Sequence, residues 1–236
     1  MTDNITVKNL SVSYGDLVVF DSFDATFEKD KINVILGGSG VGKSTLIGSI
    51  AGLVKHDGDI DGIDGEISFI FQKDRLISSI SVYKNLDLVL KNVFKDKEER
   101  RKRIDEMLEI LEIEDCKDKR PGEISGGQAQ RVCLARAFLY PSKVLLMDEP
   151  FKALDTALRH RLFGWLFRLD EISPKTIIMV THAIDECLLS ADKFMVLSGK
   201  PAKVVLEGKI HTDKKDRKLT DENLVDVRNK LLEAIS

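Results

Sequence analysis

Gly37-Gly38-Ser39-Gly40-Val41-Gly42-Lys43-Ser44-Thr45 is the stretch on which the rest of this chain is read. It fits G-x-x-x-x-G-K-[ST], and its flanks fit as well. Upstream, Lys31-Ile32-Asn33-Val34-Ile35-Leu36 is short and apolar, which predicts a buried strand. Downstream, residues 45–51 read as the start of a helix. Strand, glycine loop and helix together let successive backbone N–H groups wrap a phosphate without Cβ clashes. The helix N-terminus adds partial positive charge. Lys43 is placed to reach β- and γ-phosphates, and the Ser44 hydroxyl to ligate Mg²⁺. A glycine turn that only joins strand to helix would need neither side chain.

The 236 residues suffice for one large domain, and 43% hydrophobic content suffices for a core. A formal net charge of −3 gives no basic excess, so nucleic acid is not an expected partner. No run approaches the roughly 18 apolar residues of a spanning helix. The first residues lack a basic region followed by an apolar one, so a secretory signal is not expected. Cys116, Cys133 and Cys187 form no C-x-x-C pair and read as small buried residues. These features predict a soluble, cytosolic chain.

Residues 5–10 and 23–27 alternate as half-buried strands do. Tyr14 precedes a Gly15-Asp16 turn. It reads as ordinary packing, or as a stacking platform for an adenine if a nucleotide site surrounds it. Three Asp-Gly pairs make residues 52–65 a run of turns. This run lacks the spacing and the final glutamate of a calcium loop. Residues 66–71 form a strand ending at Gln72, a polar boundary unless that end faces a phosphate. Helices are predicted over 81–91, 97–113 and 129–140. Ser125, Gly126, Gly127 and Gln128 precede the last of these, as a plain N-cap or as a second anion site. Residues 143–148 form an apolar strand closed by Asp148 and Glu149. Two carboxylates on a second parallel strand beside a phosphate loop suit Mg²⁺ and water. Asp155 caps a helix over 156–169. Residues 176–180 form a buried strand ending at Thr181-His182, so His182 can point into the same cleft. A hairpin over 194–206 and a helix from 220 complete the chain.

The order phosphate loop, Gln72, Ser125-Gly126-Gly127-Gln128, Asp148-Glu149, Ala153-Leu154-Asp155, His182 resembles the ATP-binding subunit of ABC transporters over nearly the whole chain. Ile124-Ser125-Gly126-Gly127-Gln128 is similar to the family's L-S-G-G-Q, the most specific piece. Residues 125–132 and 180–186 resemble bacterial importer subunits, in particular the nitrate, sulfonate and taurine group that also includes thiamine-precursor importers. Gly38, Ile124, Lys152 and Ala183 depart from the family pattern, and the β lobe before Gln72 is expected to be short.

The resemblance implies an α/β fold over 1–236. Its core is that of a P-loop NTPase with a mainly parallel sheet, joined by an antiparallel β lobe, a helical lobe over about 73–140 and a C-terminal helix over about 220–235. It implies ATP and Mg²⁺ as ligands. Tyr14 then stacks on adenine. Gly38, Ser39, Gly40, Val41, Gly42, Lys43, Ser44 and Thr45 surround the phosphates. Ser44 and Asp148 hold Mg²⁺ with Gln72 near the ion and the water. Glu149 acts as base, and His182 meets the γ-phosphate. Ser125 to Gln128 serve the nucleotide of a second copy in an ATP-bound homodimer, and Asp155 links the two sites. Residues 73–94 are expected to meet a membrane-spanning permease, which in turn meets an external solute-binding protein. The place of action is the cytoplasmic side of the membrane. A soluble ATPase clamp not coupled to transport is the alternative.

Overall fold

The computed structural model describes residues 4–152 and 155–235. Two sheets organise them. The smaller is antiparallel, with order β2-β1-β4, built from β1 (Ile5–Tyr14), β2 (Leu17–Phe27) and β4 (Asp57–Asp61). The first two strands are longer than their alternation predicts. The reason is a bulge. Asn9 has φ of 50°, and the β1–β2 register shifts between Val7 and Leu10. An extra residue moves the apolar phase, so Val12 and Phe20 fall out of the simple period although both are buried.

Residues 57–61 are read from sequence as turns, and here the structure differs. They pair antiparallel with β1, Val7 opposite Ile60 and Lys8 opposite Asp59. Four of the five residues are exposed, so no apolar alternation announces the strand. Gly58 sits at φ 94°, and a Cβ there would lie 2.5 Å from the carbonyl oxygens of Lys8 and Asn9. Its glycine permits a close crossing over the β1 bulge rather than a chain reversal.

The larger sheet has order β5-β6-β7-β3-β8-β9. Its strands are β3 (Ile32–Gly37), β5 (Ile67–Ile70), β6 (Val144–Asp148), β7 (Thr176–Val180), β8 (Lys193–Ser198) and β9 (Lys203–Lys209). All pairs are parallel except β8 with β9, the expected hairpin. The acid-bearing strand β6 is not the immediate neighbour of β3. β7 lies between them, so the acids approach the phosphate loop past the end of β7.

Parallel strands covered on both faces read as continuous apolar runs. Alternate residues then serve two cores. Ile35, Leu146, Ile178 and Val180 pack with α1 (Lys43–Ile50) and the antiparallel sheet, against Leu46, Ile47, Val7, Phe20 and Phe27. Val34, Leu36, Leu145, Met147, Ile177 and Met179 face the opposite core. That core takes Leu86 of α2 (Val82–Leu90), Ile104 and Leu108 of α3 (Lys97–Ile110) and Val132 of α4 (Gly126–Leu139). It also takes Leu166 of α5 (Thr156–Ile172), Leu188 of α6 (Ile184–Ser190) and Leu231 of α7 (Glu222–Ile235). Ser81 caps α2 through Lys84 N–H, and Asp155 caps α5 through Leu158 N–H at 2.8 Å. α3 stops at Ile110, short of the predicted 113, because Glu112 turns left-handed and Ile113 N–H bonds Leu108 O. α6, seven residues long, is not evident in the sequence pattern.

Candidate functional site

At the C-terminal end of β3 the chain turns through the glycine loop into α1. Gly42 is the N-cap of that helix at φ 115°, and a Cβ on it would come within 2.7 Å of Val19 Cγ1. Any side chain there would be strained and would press the antiparallel sheet away. Lys43 is 6% exposed, and its ammonium donates to Gly37 O and Gly38 O, both at 2.8 Å. Burial lowers its pKa, while Glu149 and Asp148 work the other way. An ammonium held inside its own loop meets any anion that enters the loop.

Ser44, the next residue on α1, donates its hydroxyl to Asp148 Oδ1 at 3.0 Å. Burial raises the Asp148 pKa, and the Ser44 hydrogen bond partly offsets this. One hydroxyl and one carboxylate are hard oxygen donors. They fit Mg²⁺, which keeps several waters and takes one or two carboxylates plus substrate phosphates. Among the described residues no cluster of three His, Cys, Asp or Glu forms an all-protein metal cage.

Glu149 follows Asp148 with φ of 44°, and its N–H bonds Val180 O at 2.9 Å. A left-handed glutamate costs about 1–3 kcal/mol and persists where its surroundings impose it. Here the end of β7 fixes it. Both carboxylate oxygens are engaged. Oε2 accepts from Lys152 Nζ at 2.6 Å and Gln72 Nε2 at 3.2 Å, and Oε1 lies 3.3 Å from His182 Nδ1. Burial pushes the Glu149 pKa up, but Lys152 and His182 outweigh it, so the carboxyl stays below its usual value. His182 itself is held at the β7 tip by Thr181, which donates to buried Glu186 at 2.6 Å and accepts from Ala183 N–H. Arg159 pairs with the other Glu186 oxygen at 3.3 Å.

A cleft of about 350 Å³ runs beside the loop, lined by Tyr14, Leu17, Ser39, Lys43, Gln72 and Glu149 among others. Tyr14 is 54% exposed at its edge. Residues far apart in sequence thus meet at one mouth: 37–45, 72, 148–149 and 182. Residues 125–128 do not join them. Ser125 Oγ accepts from Gln128 N–H at 3.3 Å and Gln128 Oε1 accepts from Ser125 N–H at 2.9 Å, a closed capping box at the start of α4. Asp155 lies apart from the cleft too, as the cap of α5. Gly127 links these two helix starts, since a Cβ on it would lie 2.7 Å from Leu158 Cδ2. Ala153 and Leu154 fall outside the described residues. Lys152 also lines this cleft and contacts Glu149, and the sequence reading gave it no role. Its mismatch to the family pattern was the available signal, and only the fold puts its ammonium on Glu149.

Comparison with known proteins gives the family and the fold. The ABC transporter family description matches residues 20–152. The aliphatic sulfonates import ATP-binding protein SsuB of Bacillus cereus is 37% identical, over 98% of this chain and 93% of its own length. The sulfate/thiosulfate import ATP-binding protein CysA of Methylococcus capsulatus is 36% identical over 83% of this chain, which spans 60% of that relative. Among solved structures, the dimeric post-hydrolysis ATP-binding cassette MJ0796, bound to ADP and Pi, has a TM-score of 0.76 at 29% identity. The match covers 89% of this chain and 100% of that one. The chain belongs to the ABC transporter family and carries its ATPase cassette.

Proposed function

We propose that this ABC-family ATPase is the energising subunit of an importer, coupling Mg-ATP hydrolysis to passage of a small solute through a separate permease. The convergence of Gln72 and His182 on Glu149, next to the Ser44–Asp148 pair at the mouth of the Lys43 loop, carries this reading. In it, Lys43 and the N–H groups of residues 38–44 hold the phosphates, Tyr14 stacks on adenine, and Ser44 and Asp148 hold Mg²⁺ with Gln72 close by. When bound, Mg²⁺ neutralises charge on the phosphate oxygens. Glu149 orients or deprotonates the attacking water, and His182 contacts the γ-phosphate. Catalysis is then mostly positioning and charge stabilisation.

The α4 start at Ser125 serves a second copy's nucleotide in this reading, with Asp155 bridging the two sites. A capped helix start whose residues avoid the cis cleft supports it, as does the dimeric state of the cassette MJ0796. The permease meets residues 73–94, where Arg75 and Val89 share a groove with the strand before Gln72 and with α4. Phe69 and Phe71 stack at 4.1 Å there, Arg75 lies 3.7 Å over Phe71, and Arg136 ties down the Asp74 and Arg75 carbonyls. These aromatic and cationic groups line a recess of about 420 Å³ with Val89 and Tyr140. No helix among the described residues is long and apolar enough to cross a membrane; in this reading the pore belongs to the permease. The chain acts at the cytoplasmic face of the membrane, and an external solute-binding protein delivers the solute. Of the solutes expected from the resemblance, sulfonate is the one named for a relative, and the sulfate/thiosulfate of a second relative adds support for a sulfur oxyanion. Co-purification from native membranes tests this, with ATPase assay of the complex and of its Lys43→Ala variant. A permease-bound, Lys43-dependent ATPase is expected. Equal activity in both forms refutes the site.

A further inference from the structure

We propose that Lys152 discriminates ATP from ADP by leaving Glu149 for the γ-phosphate. The inference rests on the reading of the cleft as the nucleotide site. Lys152 lines the same cleft as Lys43, Ser44 and Gln72. Its Nζ is 2.6 Å from Glu149 Oε2, and its backbone N–H bonds Glu149 O at 3.2 Å, so one short turn holds the pair together. The lysine side chain is 49% exposed, whereas that of Glu149 is 17% exposed. The ammonium, on a flexible four-carbon stem, is therefore the half of the pair free to move.

Charge gives the motion its direction. Without a ligand, Lys43 and Lys152 balance Asp148 and Glu149 in the cleft. Both oxygens of Glu149 are then engaged, by Lys152 and Gln72 on one and His182 on the other. A water must then share those oxygens with these partners. A phosphate chain anchored by Lys43 brings its last group toward these acids and adds negative charge beside Glu149. Lys152 is the half-exposed cation within reach of that position. Moving to the phosphate satisfies the new anion and takes the shorter of the two contacts off Glu149 Oε2, leaving Gln72 to share that oxygen with a water. ADP lacks the group that would draw it.

The test is equilibrium binding of ATP and of ADP, each in EDTA so that no turnover occurs. It compares the wild type with Lys152→Ala, Lys152→Arg and Lys43→Ala. Lys152→Ala is expected to weaken ATP about 5-fold, as loss of one partly exposed charge contact does, and ADP less than 2-fold. Lys152→Arg should restore most of the ATP affinity. Equal loss for both nucleotides, or none for either, overturns the proposal while leaving the site intact. A wild type that binds neither nucleotide, or a Lys43→Ala variant that binds both normally, instead overturns the cleft itself as the nucleotide site.

Discussion

Lys43 and Lys175 are both buried, at 6% and 1% exposure, and both donate to backbone carbonyls. Lys43 reaches Gly37 O and Gly38 O. Lys175 reaches Tyr140 O at 3.3 Å, Ser142 Oγ at 3.2 Å and Ser142 O. Burial lowers both pKa values, that of Lys175 to about 8. They differ in which end of the parallel sheet they occupy. Lys43 follows β3 at the C-terminal end, where the loops open a cleft lined by Ser44 and Glu149, with Asp148 bonded to Ser44. Lys175 precedes β7 at the N-terminal end, where carbonyls close around the ammonium. Parallel strands leave their ligand crevice outside the carboxyl ends. The same side chain thus opens onto a cleft at one end and closes the sheet at the other.

The sharpest break of this contrast removes the acids' contribution from the Lys43 end. Glu149→Gln keeps the side chain's size but cannot take a proton, and turnover should fall on the order of 10²–10⁴-fold. With Mg-ATP the variant should also persist as a dimer in size-exclusion chromatography with light scattering. Normal turnover by a monomer would end the assignment of Glu149. Lys43→Ala should reduce turnover roughly 10²–10³-fold through loss of one buried donor to the phosphates. Its circular dichroism spectrum should match the wild type. Ser125→Arg should lower turnover by about 10²-fold, if charge stabilisation comes from a second copy, with unchanged ATP binding by the monomer. Loss of monomer binding as deep as that of Lys43→Ala would place both motifs in one cis site.

Lys175→Met tests the closed end, and its effect is smallest. The folded pKa of Lys175 lies below its unfolded value, so the unfolded chain holds more protons between about pH 8 and 10.5. Stability contributed by this group therefore rises with pH through that window. Denaturant melts at pH 7 and pH 10 should show wild type gaining about 1–3 kcal/mol over Lys175→Met. ATP turnover per folded molecule should not change. A flat difference, or lost nucleotide affinity, would erase the distinction between the two lysines.

Much of the fold was readable because its signals are local. The buried strand 176–180 matches β7 residue for residue, since five consecutive apolar or β-branched side chains suit a strand covered on both faces. The helix caps at Ser125 and Asp155 follow from side chains that satisfy nearby N–H groups. β4 was not readable, because an exposed edge made of Asp and Gly carries no apolar period. Its strand character comes only from the partner β1.

The sequence by itself determined the phosphate loop, the paired acids and the apolar periods of the core, since each is set by neighbours within a few residues. It supplied Gln72 and His182 only as polar residues at strand ends, and Lys152 only as an odd residue in a turn. Tertiary structure decided that they share Glu149. It did so by laying β7 between β3 and β6, which brings the ends of separate strands to one mouth. It also decided that Ser125 stays outside the cis cleft. Such meetings depend on strand order and crossover paths, and hydrogen-bond periodicity along one segment carries no information about either.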